Sequence, residues 1–186
     1  TALAALSAAE HLGIVRELAG VCADLETLVV DTPAGIAPGM LQMVQAAQHV
    51  LVVVCDEPTS ITDAYALIKV LSRSHGVGKF HVLANMTRER GQGRRLFETL
   101  SRVTSRFLDV TLEYAGDVPE DPWLRRSIRD QRPVLDAYPG SPSARALKLV
   151  ADRADNWPVP PGPRGNIEFF AERLVQRSAP ALEVGR

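Results

Sequence analysis

Aromatic side chains make up only 5% of the 186 residues, so any core this chain buries has to be mainly aliphatic. There are two cysteines, Cys22 and Cys55, with no CxxC and no histidine-rich spacing around them. That excludes a disulfide scaffold and fits reduced thiols in a cytosolic protein. No apolar run approaches the roughly 18–20 residues that cross a bilayer; the longest strand-like one, Val50 to Cys55, is far shorter. Neither sign of charge dominates: 21 Lys and Arg stand against 22 Asp and Glu, a net charge of −1. Without a global basic field, direct nucleic-acid binding is not expected. The four histidines, His11, His49, His75 and His81, are dispersed, with no pair at i, i+4 on one helix. Metal and triad chemistry therefore have little support. Neither GxxxxGK[ST] nor GxGxxG occurs, so the 186 residues hold no phosphate cradle of those kinds. What is present is ordinary for a soluble globular protein: 46% apolar and 23% charged residues, in a length suited to one domain.

The pattern along the chain alternates between two periods. Leu12, Val15, Leu18 and Ala19 recur at helical spacing, predicting an amphipathic helix over residues 3–20. Glu26 to Asp31 reads as a buried strand closed by a Thr-Pro-Ala-Gly turn. A helix over about 38–48 leads to a strand from His49 to Cys55. Ser60 and Asp63 resemble a capping box opening a helix that stops near Gly76. Lys79 to Asn85 is a third strand, and Leu96, Leu100, Val103 and Phe107 mark the next helix. Val110 to Val118 is a fourth strand, closed by Pro119. Short helices follow near 121–130 and 132–137, and Ser141-Pro142 starts another that runs to about Trp157. Strands separated by helical stretches, with near-continuous Val and Leu, predict an α/β fold with a mainly parallel sheet flanked by helices. Residues 1–157 form that domain, 158–165 a Pro-rich linker, and 166–186 a terminal amphipathic helix and tail.

Ligands in such sheets bind beyond the carboxyl ends of the strands, which directs attention to Asp31, Asp56, Asn85 and Asp117. The octapeptide Leu28 to Gly35 is the sharpest signal. A strand-terminal carboxylate can hold a water on Mg²⁺ beside a triphosphate, and a nearby glycine lets backbone N–H groups approach a γ-phosphate. The same residues equally suit a strand that ends in an Asx-type turn. Asn85 has an amide able to meet an adenine edge, although a strand-terminal Asn also caps turns. Arginines gather at 88, 90, 94, 95, 102 and 106, and again at 125, 126, 129 and 132. With Glu89, Glu98, Asp121 and Asp130 among them they read as solvated helix faces, or as a local site for an anionic partner. On a helical wheel Ile167, Phe170, Leu174 and Val175 share one stripe opposite Glu168, Glu172, Arg173, Gln176 and Arg177. That helix faces a membrane, a protein partner or its own domain.

The stretch Val50 to Lys69, containing Cys-Asp-Glu-Pro-Thr-Ser-Ile-Thr-Asp-Ala-Tyr-Ala-Leu-Ile-Lys, resembles the MinD/ParA-type ATPases that control flagellar number, the FlhG/FleN family. Leu83-Ala84-Asn85-Met86, Arg106 to Val110 and Pro163 to Phe170 fit the same family. The resemblance implies a deviant-Walker P-loop fold, use of ATP and Mg²⁺, ATP-dependent dimerisation, and a cytoplasmic protein that visits the inner membrane reversibly and peripherally. It also implies two partners, a flagellar enhancer-binding transcription activator and a signal-recognition-type flagellar GTPase. Carried over by residue, Asp31 is the magnesium-site carboxylate, acting through water, and Thr32, Pro33, Ala34 and Gly35 form the switch that senses the γ-phosphate. Asn85, with the backbone of Asp117, Val118 and Pro119, faces adenine. The Asp56–Asp63 segment lies near the dimer and nucleotide face, and the terminal helix is the membrane-targeting sequence.

Two features of that family are not found. Its Lys-Gly-Gly-rich phosphate loop and its first switch precede the point where this chain begins. Residue 1 is a Thr inside a helical pattern, without an export or transit signature, so the chain is read as the C-terminal portion of a longer ATPase. By itself it is not expected to hydrolyse ATP. Two other functions fit the sequence: an interaction module that binds a transcription activator without nucleotide, and a ParA-type partitioning protein.

Overall fold

The computed structural model describes Thr27–Thr32, Gly35, Met40, Leu41, Val44 and residues 47–158. The helix expected over 3–20, the turn residues Pro33 and Ala34, and the terminal helix with Ile167, Phe170, Leu174 and Val175 lie outside the described residues. The chain divides into two units, Thr1–Gln48 with Pro160–Arg186, and His49–Val159.

In the second unit three parallel strands stand in the order β1 (Leu51–Cys55), β2 (Lys79–Thr87), β3 (Thr111–Pro119). Between β1 and β2 runs α1 (Pro58–His75), and between β2 and β3 runs α2 (Gln92–Phe107). After β3 come α3 (Pro122–Arg129), α4 (Val134–Ala137) and α5 (Pro142–Ala154). Parallel neighbours need a crossover long enough to return the chain, and the two helices supply it. β2 is central, and Phe80 to Ala84 are all buried, His81 among them, as a strand covered on both faces requires. Ala64, Ile68 and Leu71 of α1 and Leu96 and Leu100 of α2 close the core with Val52 and Val54 of β1. Full burial of each large aliphatic or aromatic side chain there contributes about 1.5–3 kcal/mol.

The helix ends follow local rules. Gly76 ends α1 with φ 67°, a left-handed cap whose N–H reaches the Ser72 carbonyl. Asp121 and Ser141 cap α3 and α5, each ahead of a proline. The Ser60–Asp63 capping box does not form. Helix α1 begins earlier, at Pro58, and the Ser60 hydroxyl instead accepts the Cys55 backbone N–H at 3.0 Å. The proline at the first position pre-sets the helical φ and moves the start upstream.

The expected buried strand over 26–31 is the clearest correction. Thr27–Thr32 belong to neither strand nor helix, and Val29 is 85% exposed. A strand is defined by its ladder partner, and among the described residues the sheet has three strands. An apolar tripeptide such as Leu28-Val29-Val30 signals that a segment suits a ladder, not that the ladder is made.

At the opposite end from the strand termini, His81 is buried and stacks on Trp157 with ring centroids 3.6 Å apart. His49 Nδ1 lies 3.2 Å from His81 Nε2, and Glu113 approaches His81 Nδ1 at 3.4 Å. This stack holds Trp157, the last residue before Pro158, against the base of the sheet.

Candidate functional site

The carboxyl ends of β1, β2 and β3 bring together residues from three loops. β2 ends irregularly: the register with β3 shifts between Asn85 and Thr87, and Met86 adopts φ 56°. A non-glycine side chain in that region costs about 1–2 kcal/mol and persists only where its surroundings hold it. Here the Asn85 side-chain oxygen accepts the Met86 N–H at 2.9 Å, and the Glu120 N–H reaches the Thr87 carbonyl at 2.8 Å. The bulge turns Met86 outward, where it is exposed.

Asn85 pairs with Val118 and Thr87 with Pro119, so the ladder sets Asn85 in register with the middle of Asp117–Pro119. The Asn85 amide oxygen is engaged with Met86, which leaves the amide nitrogen without a partner among the described residues. An amide N–H₂ beside backbone donors and acceptors fits the edge of a purine. The Asp117 side chain takes a different role from its backbone. Its carboxylate accepts Tyr114 OH at 2.6 Å and Thr87 Oγ1 at 3.4 Å. Burial first, then the bond to Asp117 and its charge, push the Tyr114 phenol well above its usual range. Gly93 of α2 is pressed into the same place: a Cβ there would come within 2.6 Å of Asp117 Cβ and 2.7 Å of Tyr114 OH. Asp117 therefore joins sheet to helix.

Past β3, Asp121 is buried and satisfied on every side. One oxygen accepts the Trp123 N–H at 2.9 Å; the other accepts the Ser143 N–H at 2.9 Å and Ser143 Oγ at 2.7 Å. Burial alone pushes this carboxyl up, but the Ser143, Trp123 and Ser141 hydrogen bonds outweigh it and hold it below the usual carboxylate value. The Asp-Pro pair was open to recognition by the rule that identified Ser141-Pro142. Arg88 and Arg125 both pair with Glu120, the first at 3.0 Å. With Pro122 and Arg129 they line an open groove of ≈ 460 Å³. Arg95 meets Glu89 at 3.3 Å, Arg126 meets Asp130 at 3.8 Å, and Arg94 lies over the Tyr114 ring at 4.6 Å. Much of the arginine cluster thus serves neighbours on its own surface.

On the β1 side, Asp56 accepts a hydrogen bond from Gln92 Nε2 at 2.7 Å. Burial and the Glu57 charge push the Cys55 thiol up, which keeps it protonated at neutral pH. Gln92 had no signal in the sequence, since its residue type marks no site. Asp31 and Thr32 lie in the Thr27–Thr32 segment, which is neither strand nor helix, and Gly35 has φ 114°, a conformation that favours glycine. Among the described residues no group of three His, Cys, Asp or Glu is assembled to hold a metal ion. No described helix is long and apolar enough to cross a membrane.

No family model matches the chain. It is 52% identical to the Antiactivator FleN of Pseudomonas aeruginosa, over 94% of the chain and 62% of that protein. It is 29% identical to the Flagellum site-determining protein YlxH of Helicobacter pylori, over 78% of the chain and 49% of that protein. The chain thus spans about half to just under two thirds of these relatives. Among solved structures it is similar to the MinC:MinD cell division protein complex of Aquifex aeolicus, with a TM-score of 0.63 and 23% identity over 86% of the chain and 64% of that chain. It is also similar to the septum site-determining protein MinD complexed with Mg-ADP from Pyrococcus horikoshii, at 0.57 and 22%, over 78% and 55%. Likeness at that identity establishes the fold, the MinD-like P-loop NTPase arrangement of a parallel sheet flanked by helices. With half its residues shared along nearly all its length, the chain is similar to a MinD/ParA-type flagellar number regulator over 62% of that relative.

Proposed function

We propose that this chain supplies the base-binding edge and the partner-binding surfaces of an ATP-dependent, dimerising regulator of flagellar number and flagellar gene transcription. The observation that carries the reading is the strand-end arrangement: Asn85 in register with Val118, beside a strained Met86, at the edge where parallel sheets take their ligands. A solved MinD of the same fold is a complex with Mg-ADP, which makes a nucleotide the fitting ligand. When bound, ATP with Mg²⁺ supplies the charge and the γ-phosphate that switch such a protein between monomer and dimer. Asn85 with the Asp117–Pro119 backbone would hold the base; Asp31 would face the magnesium through water, and Thr32 to Gly35 would sense the γ-phosphate. Ile167, Phe170, Leu174 and Val175 would face the inner membrane or a partner. A flagellar enhancer-binding transcription activator is the first partner, in keeping with the antiactivator name of the 52% identical relative, and a signal-recognition-type flagellar GTPase is the second.

The test is nucleotide titration of the complete gene product. Wild type should bind Mg-ATP, dimerise with it and capture the activator. Asn85→Ala should bind about 3- to 10-fold more weakly, the loss of one ligand hydrogen bond. A complete protein that binds no Mg-ATP, or an Asn85→Ala variant with wild-type affinity, overturns the reading.

A further inference from the structure

The turn from β2 into α2 is bracketed by the strained Met86 in the last residues of β2 and by Gly91, whose φ is 79°, so two left-handed residues stand within six positions. Such a segment keeps its shape only if it is tied from outside. On the β3 side the ties are the Glu120 N–H to the Thr87 carbonyl and Arg88 to Glu120. On the β1 side the tie is Gln92, the first residue of α2. Its amide uses both ends: Oε1 accepts the Arg88 N–H at 2.6 Å and the Glu89 N–H at 3.3 Å, while Nε2 donates to Asp56 Oδ2 at 2.7 Å. Asp56 directly follows β1, so one side chain spans the loops after two neighbouring strands.

We propose that Gln92 is a positioning residue for the ligand edge: without touching the nucleotide, it straps the Arg88–Glu89 backbone to Asp56 and thereby fixes where Asn85 and Met86 stand. The chemistry of the strap is polar and directional. It needs an acceptor toward Arg88 and Glu89 and a donor toward Asp56, which an amide provides and a carboxylate does not. A glutamate would still accept from the loop but would set two carboxylates against each other at Asp56.

That polarity gives the test. The claim rests on the nucleotide reading above, so binding and loop geometry are measured separately. In the complete gene product, Gln92→Glu and Gln92→Ala should each weaken Mg-ATP about tenfold with an unchanged melting temperature, because the strap is exposed and adds little to global stability. The double variant Asp56→Asn with Gln92→Glu reverses the donor and acceptor and should restore affinity, since the amide introduced after β1 can then donate to the carboxylate introduced at the start of α2. In this chain without nucleotide, the Arg88 and Glu89 amide protons should exchange faster in Gln92→Ala, and the Asn85 and Met86 amide resonances should move. A wild-type complete protein that fails to bind Mg-ATP sinks the nucleotide reading; the exchange and resonance changes then judge the strap alone. Unchanged exchange and resonances in Gln92→Ala, wild-type affinity in Gln92→Glu, or no recovery in the double variant overturns the strap.

Discussion

Replacing Asp121 tests how the end of β3 is built. The carboxylate is buried, caps α3 through the Trp123 N–H, and holds the first turn of α5 through the Ser143 N–H and hydroxyl. Hydrogen bonds to a charged acceptor contribute about 1.5–3 kcal/mol each, though not additively. Asp121→Ala removes three at once and leaves two backbone donors in a dry site. The expected cost is about 3–5 kcal/mol, a large part of the stability of a domain this size. Urea unfolding followed by circular dichroism reads it as a fall in midpoint at constant slope. Asp121→Asn keeps the shape but turns an N–H₂ toward donors, and should lose about 2 kcal/mol. The pH dependence has a definite sign. The native carboxyl sits below its unfolded value, so its stabilisation is complete above an unfolded value of about 4. It is lost as pH falls through the lower native value, where wild type and Asp121→Asn should converge. An Asp121→Ala variant within about 1 kcal/mol of wild type at pH 7 refutes the reasoning. So does a gap that closes above pH 4, which would mean a raised native value instead.

Gly93→Val should destabilise by about 1–3 kcal/mol in the same unfolding assay, because its Cβ meets the Asp117 and Tyr114 side chains at under 3 Å; wild-type stability would show that α2 can back away. Phe170→Glu with Leu174→Glu should reduce vesicle or partner binding more than tenfold, given about 1.5–3 kcal/mol for each large side chain buried at the contact. Flotation of the double variant with anionic vesicles at wild-type levels, together with unchanged partner capture, removes that role from the terminal helix.

The elements were legible wherever the local signal and the tertiary environment agree. Strand β2 is buried at nearly every position and β1 is a valine run buried on alternate residues, and both, with β3, emerge with their ends displaced by only one or two residues. Caps that use one residue type for one purpose, such as Gly76 and Ser141, emerge as well. Ser60 does not, because its hydroxyl had two uses, and the proline at position 58 settled which one remained. The segment 27–32 fails for another reason. Its residues have the strand composition of β1, yet composition cannot name the neighbour that a ladder needs, and among the described residues it has none.

The site divides along the same line. The places of Asn85 and Asp117 were legible because position is part of the signal: a polar residue near the end of a strand in a parallel sheet stands at the carboxyl edge by topology alone. What topology does not specify is the direction of each side chain, and there the two diverge. Asn85 turns its amide oxygen to the Met86 N–H, while Asp117 turns its carboxylate to Tyr114 and Thr87 against the glycine of α2. Some hydrogen bonds that set direction are local and others reach far, as Gln92 does to Arg88, 4 positions away, and to Asp56, 36 positions away. No window of sequence contains both partners of the longer bond. The chemistry at the edge is therefore written locally, and its aim is written in the fold.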